Sequence, residues 1–182
     1  MISLRYVAAA LALTAALFAS WPGTGIGSIA HAGTPVAQAQ APDFNGATRW
    51  FNSSPLSMDQ LKGKVVLVEF WTRECINCLH VLPHTEALSE RYAGDGLVVV
   101  GVHTPEYDEE RDPAALKAAI SRLGITYPVA MDNDQHIWNA YGNQFWPAIY
   151  LIDRNGQVVY RHVGEGNYEQ TEAAVRKLLG KA

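Results

Sequence analysis

Cys75 and Cys78 are the only cysteines of this chain, and two residues separate them. That spacing lets the pair close a small disulfide at a helix start. The pair follows directly on the apolar run Val65-Val66-Leu67-Val68-Glu69-Phe70-Trp71. A buried strand running into Cys-x-x-Cys and then a helix is a redox arrangement. The helix amino terminus carries free N–H groups and partial positive charge, which stabilise a thiolate at Cys75. Cys78, one turn further in, is placed to attack any mixed disulfide that Cys75 forms. The expected chemistry is thiol–disulfide exchange, with its protein substrate unspecified.

Other uses of the pair fit less well. A structural staple closing so short a loop removes little entropy from the unfolded chain. A c-type haem site needs histidine after the second cysteine, and Leu79 stands there. A metal site would have to recruit His80 and His84. Helical geometry turns His80 about 200° from Cys78, and His84 lies more than a turn beyond, so both are expected on the helix surface. No metal and no bound cofactor is expected.

The elements that position the pair are legible from pattern. Unbroken β-branched apolar residues over Val65–Trp71 suit a strand buried on both faces. Val81, Thr85, Leu88 and Tyr92 form the inner stripe of the following helix, which Pro83 should kink and Gly94 and Gly96 should end. Leu97–Val102 is a second buried strand, completing a βαβ unit with parallel strands. Asp112 caps a helix that has Pro113 at its first position and Leu116, Ala119, Ile120 and Leu123 as its stripe. A strand at Tyr127–Met131 and a short helix around Ile137–Tyr141 follow. Ala148–Ile152 and Gln157–Val163 flank the hairpin signal Asn155-Gly156. Ala174, Val175 and Leu178 mark the inner face of a last helix. Upstream, Trp50, Phe51 and Leu56 belong to a capping segment. The order predicts an α/β fold with a mixed central sheet flanked by helices.

At 182 residues, 48% apolar and 18% charged, the composition is that of one globular domain. The formal net charge of −4 gives no support to nucleic-acid or anionic-membrane binding. Arg5 precedes an apolar block from Tyr6 to Ala19, and no Asp, Glu, Lys or Arg recurs until Asp43. Residues 1–32 therefore read as an export signal with an Ala30-His31-Ala32 cleavage site, or as an N-terminal membrane anchor. Residues 33–42 read as a flexible tether and 43–182 as the globular domain. Either way the domain is expected outside the cytoplasm: periplasmic or otherwise extracytoplasmic, secreted or held by a membrane anchor.

The stretch Phe70-Trp71-Thr72-Arg73-Glu74-Cys75-Ile76-Asn77-Cys78, with Pro83 five residues on, resembles the active-site segment of the thioredoxin superfamily. Trp146-Pro147 before a strand, the Asn155-Gly156 hairpin and Gly164 fall in the order that this fold shows around its cis-proline. Within the superfamily the chain is similar to the exported TlpA-like branch, and to the DipZ-type carboxy-terminal domain in particular. It shares the Cys-Ile-Asn-Cys centre, Trp50-Phe51-Asn52-Ser53, Gly101-Val102-His103-Thr104-Pro105-Glu106 and Gly164-Glu165-Gly166-Asn167-Tyr168. The resemblance implies a thioredoxin fold with an N-terminal extension and an inserted αβ unit. It implies that Cys75 is the exposed attacking thiolate and Cys78 the buried resolving thiol. Glu69 matches the family's buried acid, which accepts and returns the proton of Cys78. Pro147 is then the cis-proline, the Trp146 backbone pairs with an incoming substrate strand, and Trp71 packs beside the pair in the substrate-binding region.

Some residues depart from the commonest family pattern. Glu74 stands where tryptophan is usual; its charge disfavours a Cys75 thiolate, while Arg73 favours one. Ile76-Asn77 lacks the histidine of strongly oxidising members, so a low potential is expected. The expected function is an exported reductant of protein disulfides, re-reduced by a membrane electron-transfer protein. The alternatives are an oxidase or isomerase, a binding module with an inert disulfide, and, from Thr72-x-x-Cys75, a thiol peroxidase. His103 is expected either near the catalytic edge or in a simple turn.

Overall fold

The computed structural model describes residues 39–181. Seven strands, β1 (Ala39–Gln40), β2 (Arg49–Phe51), β3 (Val65–Trp71), β4 (Leu97–His103), β5 (Val129–Met131), β6 (Ala148–Ile152) and β7 (Gln157–Val163), form one sheet. Its spatial order is β1-β7-β6-β3-β4-β5-β2. The helices are α1 (Ile76–Tyr92), α2 (Pro113–Leu123), α3 (His136–Ala140) and α4 (Tyr168–Leu179).

Strand β3 is the centre, and all seven of its residues are buried. It pairs in parallel with β4 and antiparallel with β6, so the sheet is mixed as expected. Its alternate side chains build two cores. Val65, Leu67 and Trp71 join α1, α2 and α4 on one face. Val66, Val68 and Phe70 join α3, Phe44 and Leu61 on the other. On that second face the Phe70 ring meets Trp138, Tyr141 and Tyr150 edge-on. This double burial explains why β3 lacks polar alternation and why a single carboxylate within it, Glu69, is conspicuous.

Several local expectations hold in detail. Asp112 caps α2 by accepting the Ala114 N–H at 2.8 Å, with Pro113 in the first turn. The hairpin strands run over the expected residues, joined through Asp153–Gly156 with Gly156 at φ 83°. Helix α1 continues through Pro83 to Tyr92, burying Cys78, Val81, Leu82, Thr85, Leu88 and Tyr92.

Other elements differ. Arg49–Phe51, expected only as a cap, is edge strand β2 against β5. Ala39–Gln40, inside the expected tether, is edge strand β1 against β7, and Ala41 is buried behind it. Main-chain pairing orders these residues, which their side chains do not advertise. Strand β5 begins at Val129 rather than Tyr127 because Pro128 has no N–H to give. Helix α4 buries Val175 and packs Ala174 and Leu178 against the core as expected, and it also buries Thr171 and Leu179. The export signal or anchor expected over residues 1–32, and most of the tether, lie outside the described residues. Among the described residues no helix is long and apolar enough to cross a membrane.

Candidate active site

The carboxyl ends of β3 and β4 and the start of β6 meet at one end of the sheet. Register places Trp71 beside His103 and Phe70 beside Ala148, which brings Pro147 to the end of β3. Chain leaving β3 turns through Thr72–Glu74 and enters α1 with Cys75 as its N-cap, in extended conformation. The Cys75 Sγ accepts the Cys78 N–H at 3.2 Å, so the sulfur itself caps the helix. Cys75 and Cys78 are joined as a disulfide, with Cα atoms 5.3 Å apart. Cys75 is half-buried and Cys78 wholly buried, while Ile76 between them is 63% exposed. One sulfur faces the outside and the other faces the core.

Glu69 lies on the same face of β3 as Trp71, in register with Gly101 of β4 and Ile149 of β6. It is fully buried. Its Oε2 accepts the Tyr127 hydroxyl at 3.1 Å, and its Oε1 has no partner among the described residues. Burial pushes its pKa from 4.5 up to about 8, against the opposing pull of Tyr127 and of Thr85, which lies on the same inner face of α1 as Cys78. A carboxyl titrating near neutrality, with one oxygen unengaged, is suited to take up and return a proton. Gly101 makes room for this arrangement: a Cβ there would come within 3.0 Å of Trp71 Nε1 and Tyr127 Cε2.

The Trp146–Pro147 peptide bond is cis, and the Pro147 carbonyl accepts the Gly164 N–H at 2.9 Å. Trp146 is half-buried. Its indole N–H donates to the Thr104 carbonyl at 3.1 Å, and its ring lies 4.1 Å from that of Trp138. Trp71 requires a correction. It is wholly buried and packs edge-on to His103 at 5.1 Å, so it offers no surface to a substrate.

His103 is not in a turn but ends β4, buried, with Nε2 3.5 Å from the Thr72 hydroxyl. Burial pushes its pKa down to about 4, leaving it neutral at pH 7. His80 and His84 do not converge on the cysteines. His80 Nδ1 sits 3.1 Å from both carboxylate oxygens of Glu165, and the His84 ring lies against Tyr168.

Sequence reasoning missed Tyr127 and Glu110. Glu110 is buried and accepts from the Thr72 hydroxyl and three backbone N–H groups. Nothing in the charged run Asp108-Glu109-Glu110-Arg111 marks it as an inward residue. The large apolar side chains exposed among the described residues, Ile76, Tyr107, Phe145 and Val163, come from segments at this same end of the sheet.

Comparison with known proteins gives a consistent picture. The Redoxin family matches residues 36–179. Protein DipZ of Mycobacterium bovis is 46% identical over 145 residues, which are 78% of this chain and 21% of that protein. The chain thus spans about a fifth of that relative's length. Thiol-disulfide oxidoreductase YkuV of Bacillus subtilis is 30% identical over 141 residues, 77% of this chain and 94% of YkuV. A crystal structure of a thiol-disulfide isomerase from Corynebacterium glutamicum superposes with a TM-score of 0.68 at 28% identity, covering 78% of this chain and 98% of that one.

Proposed function

The chain belongs to the Redoxin family, as a TlpA-like member of the thioredoxin superfamily and a thiol–disulfide oxidoreductase, and we propose that it is an exported reductant of protein disulfides. The observation that carries the direction is the environment of the pair: a half-exposed sulfur at a helix cap, a buried partner, and a buried acid titrating near neutral pH behind them.

In the proposed cycle the Cys75 thiolate attacks a substrate disulfide. One substrate sulfur leaves as a thiolate, and a Cys75–substrate mixed disulfide forms. The Cys78 thiol passes its proton to Glu69 in its ionised, carboxylate form and attacks the Cys75 sulfur. The second substrate thiolate leaves, and the Cys75–Cys78 bridge holds the oxidation. Two electrons move from the pair to the substrate, so the cycle needs no resident cofactor. A membrane electron-transfer protein returns the two electrons.

The charges around Cys75 support a low potential. The dipeptide Ile76-Asn77 supplies no cation, and Arg73 is engaged by the Glu74 carboxylate and the Glu109 carbonyl. Little positive charge is left to stabilise the reduced thiolate. Protein substrates are supported by the exposed Ile76, Tyr107, Phe145 and Val163 on segments at this end of the sheet, with the Trp146 backbone beside cis-Pro147 as the docking strand. A peroxidase reading loses its support, because the Thr72 hydroxyl is buried and donates to Glu110. Likeness to a thiol-disulfide isomerase favours one second reading, isomerisation, which differs only in the potential of the pair.

The deciding experiment equilibrates the protein in buffered thiol mixtures and reads the oxidised fraction by mass after alkylation. A potential near about −270 mV supports the reductant, and one near about −120 mV makes the chain a disulfide donor instead. Export is supported by the charge-free apolar stretch after Arg5. Fusing residues 1–32 to a reporter active only outside the cytoplasm tests it, and a silent reporter overturns it.

A further inference from the structure

We propose that Glu110 is a positioning residue for the Cys75 thiol: its carboxylate clamps the loop presenting Cys75 and holds a fixed negative charge beside it. The proposal rests on reading Cys75 as the attacking thiol, and it assigns work to a residue outside the exchange cycle itself.

Glu110 stands in the turn between β4 and α2, a segment distant in sequence from the cysteines. It is wholly buried, yet all four hydrogen bonds of its carboxylate serve loop atoms. Its Oε1 accepts the Thr72 hydroxyl and, at 3.2 Å, the Glu74 N–H. Its Oε2 accepts the N–H groups of Glu106 and Tyr107 at 2.8 and 3.0 Å. One carboxylate thus ties the connection leaving β3 to the connection leaving β4, and the atoms it holds on the first lie immediately before Cys75. The Thr72 carbonyl in turn accepts the Cys75 N–H at 3.4 Å. Arg73 adds a second tie through its bond to the Glu109 carbonyl.

Four donors on two oxygens stabilise the ionised carboxyl. Although burial opposes ionisation, the Thr72 hydroxyl and the N–H groups of Tyr107, Glu106 and Glu74 hold its pKa below the ordinary value. The other titratable groups facing this loop do not cancel the charge. Arg73 and Glu74 pair with each other, and His103, beside Thr72, is neutral at pH 7. Glu69, on the far side of Trp71 in β3, is protonated over most of the range below pH 8. A buried anion next to the Cys75 loop disfavours the thiolate, raises the Cys75 pKa and makes the pair a stronger reductant. The role is therefore electrostatic as well as structural.

The test measures the pH dependence of Cys75 alkylation in the reduced full chain for wild type, Glu110→Gln and Thr72→Val. Removing the charge in Glu110→Gln should lower the Cys75 midpoint by about 0.5 pH unit or more. Thr72→Val removes a clamp bond but leaves the charge, so it should lower the melting temperature while moving the midpoint by less than about 0.2 unit. A Glu110→Gln protein that melts earlier with an unchanged midpoint overturns the proposal, as does an equal shift in Thr72→Val. If Glu110→Gln does not fold, Glu110→Asp replaces it. Drawing the charge back should lower the midpoint in the same direction, and an unmoved or raised midpoint overturns the proposal. The midpoint is a property of the thiol alone, so it stays readable even if the protein reduces no disulfide and the proposed function fails.

Discussion

Replacing Glu69 by Gln should flatten the dependence of folding stability on pH between 6.5 and 9. The wild-type carboxyl has a pKa of about 8 when folded against 4.5 as its ordinary value. The folded chain therefore keeps a proton that the unfolded chain has released, and the stability this confers is lost as pH rises through 8. His103 has the opposite sign. Its pKa falls from 6.5 to about 4 on burial, so stability is gained as pH rises across that interval. His84 and His162, also lowered by burial, act in the same direction below 6.5. The two effects oppose each other between 4.5 and 6.5; above 6.5 the remaining histidine titration of the unfolded chain is common to wild type and Glu69→Gln, so the difference between the two proteins isolates Glu69. From 6.5 to its folded pKa the change amounts to about 2 kcal/mol, at about 1.4 kcal/mol per pH unit. The assay is urea unfolding of the oxidised protein at pH 6.5 and pH 9, where the disulfide keeps the cysteines from titrating. Over that interval wild type should lose about 2 kcal/mol relative to Glu69→Gln. Equal slopes in the two proteins would refute the assignment of a buried, proton-holding Glu69.

The same substitution should slow release of the substrate from the mixed disulfide by on the order of 10²-fold at pH 7, seen as an accumulating adduct in quenched-flow mass spectrometry. Cys78→Ser should trap that adduct with insulin as substrate, whereas Cys75→Ser should form none, as resolved on non-reducing gels. Gly101→Ala drives a methyl to 3.0 Å from both Trp71 and Tyr127 and should cost about 1–3 kcal/mol in chemical unfolding. By displacing the Tyr127 hydroxyl it should also move the Glu69 titration further upward, read by carboxyl-carbon NMR. Asp112→Ala removes the α2 cap and should lower stability by about 1 kcal/mol with no change in the Cys75–Cys78 potential.

The parts of this molecule that were legible in the sequence are those whose physics is local. An unbroken β-branched run has to be a strand covered on both faces, and β3 is one. Asp112-Pro113 and Asn155-Gly156 carry their cap and turn chemistry in adjacent residues. Cys75 and Cys78 declare themselves by spacing, and Glu69 by being a lone charge among apolar neighbours. The parts that were not legible depend on partners far along the chain. Strand β2 is three residues long, too short for periodicity to register, and exists because β5 offers its edge. Helix α4 buries Thr171 because Tyr160 bonds its hydroxyl at 2.9 Å and is itself held by Asn167. Glu110 lies among charged residues and draws its hydrogen bonds from both its own turn and the one before α1.

The two shortest strands also bear on how the protein behaves at high concentration. A sheet edge is a row of open N–H and C=O groups on which another chain can crystallise into a shared sheet. Here the seven-residue β7 and the hydrophobic β5 are covered by β1 and β2, which expose only two and three residues of pairing length. Strand β2 presents a template too brief to nucleate a lasting intermolecular ladder, and it places Arg49 at its exposed end.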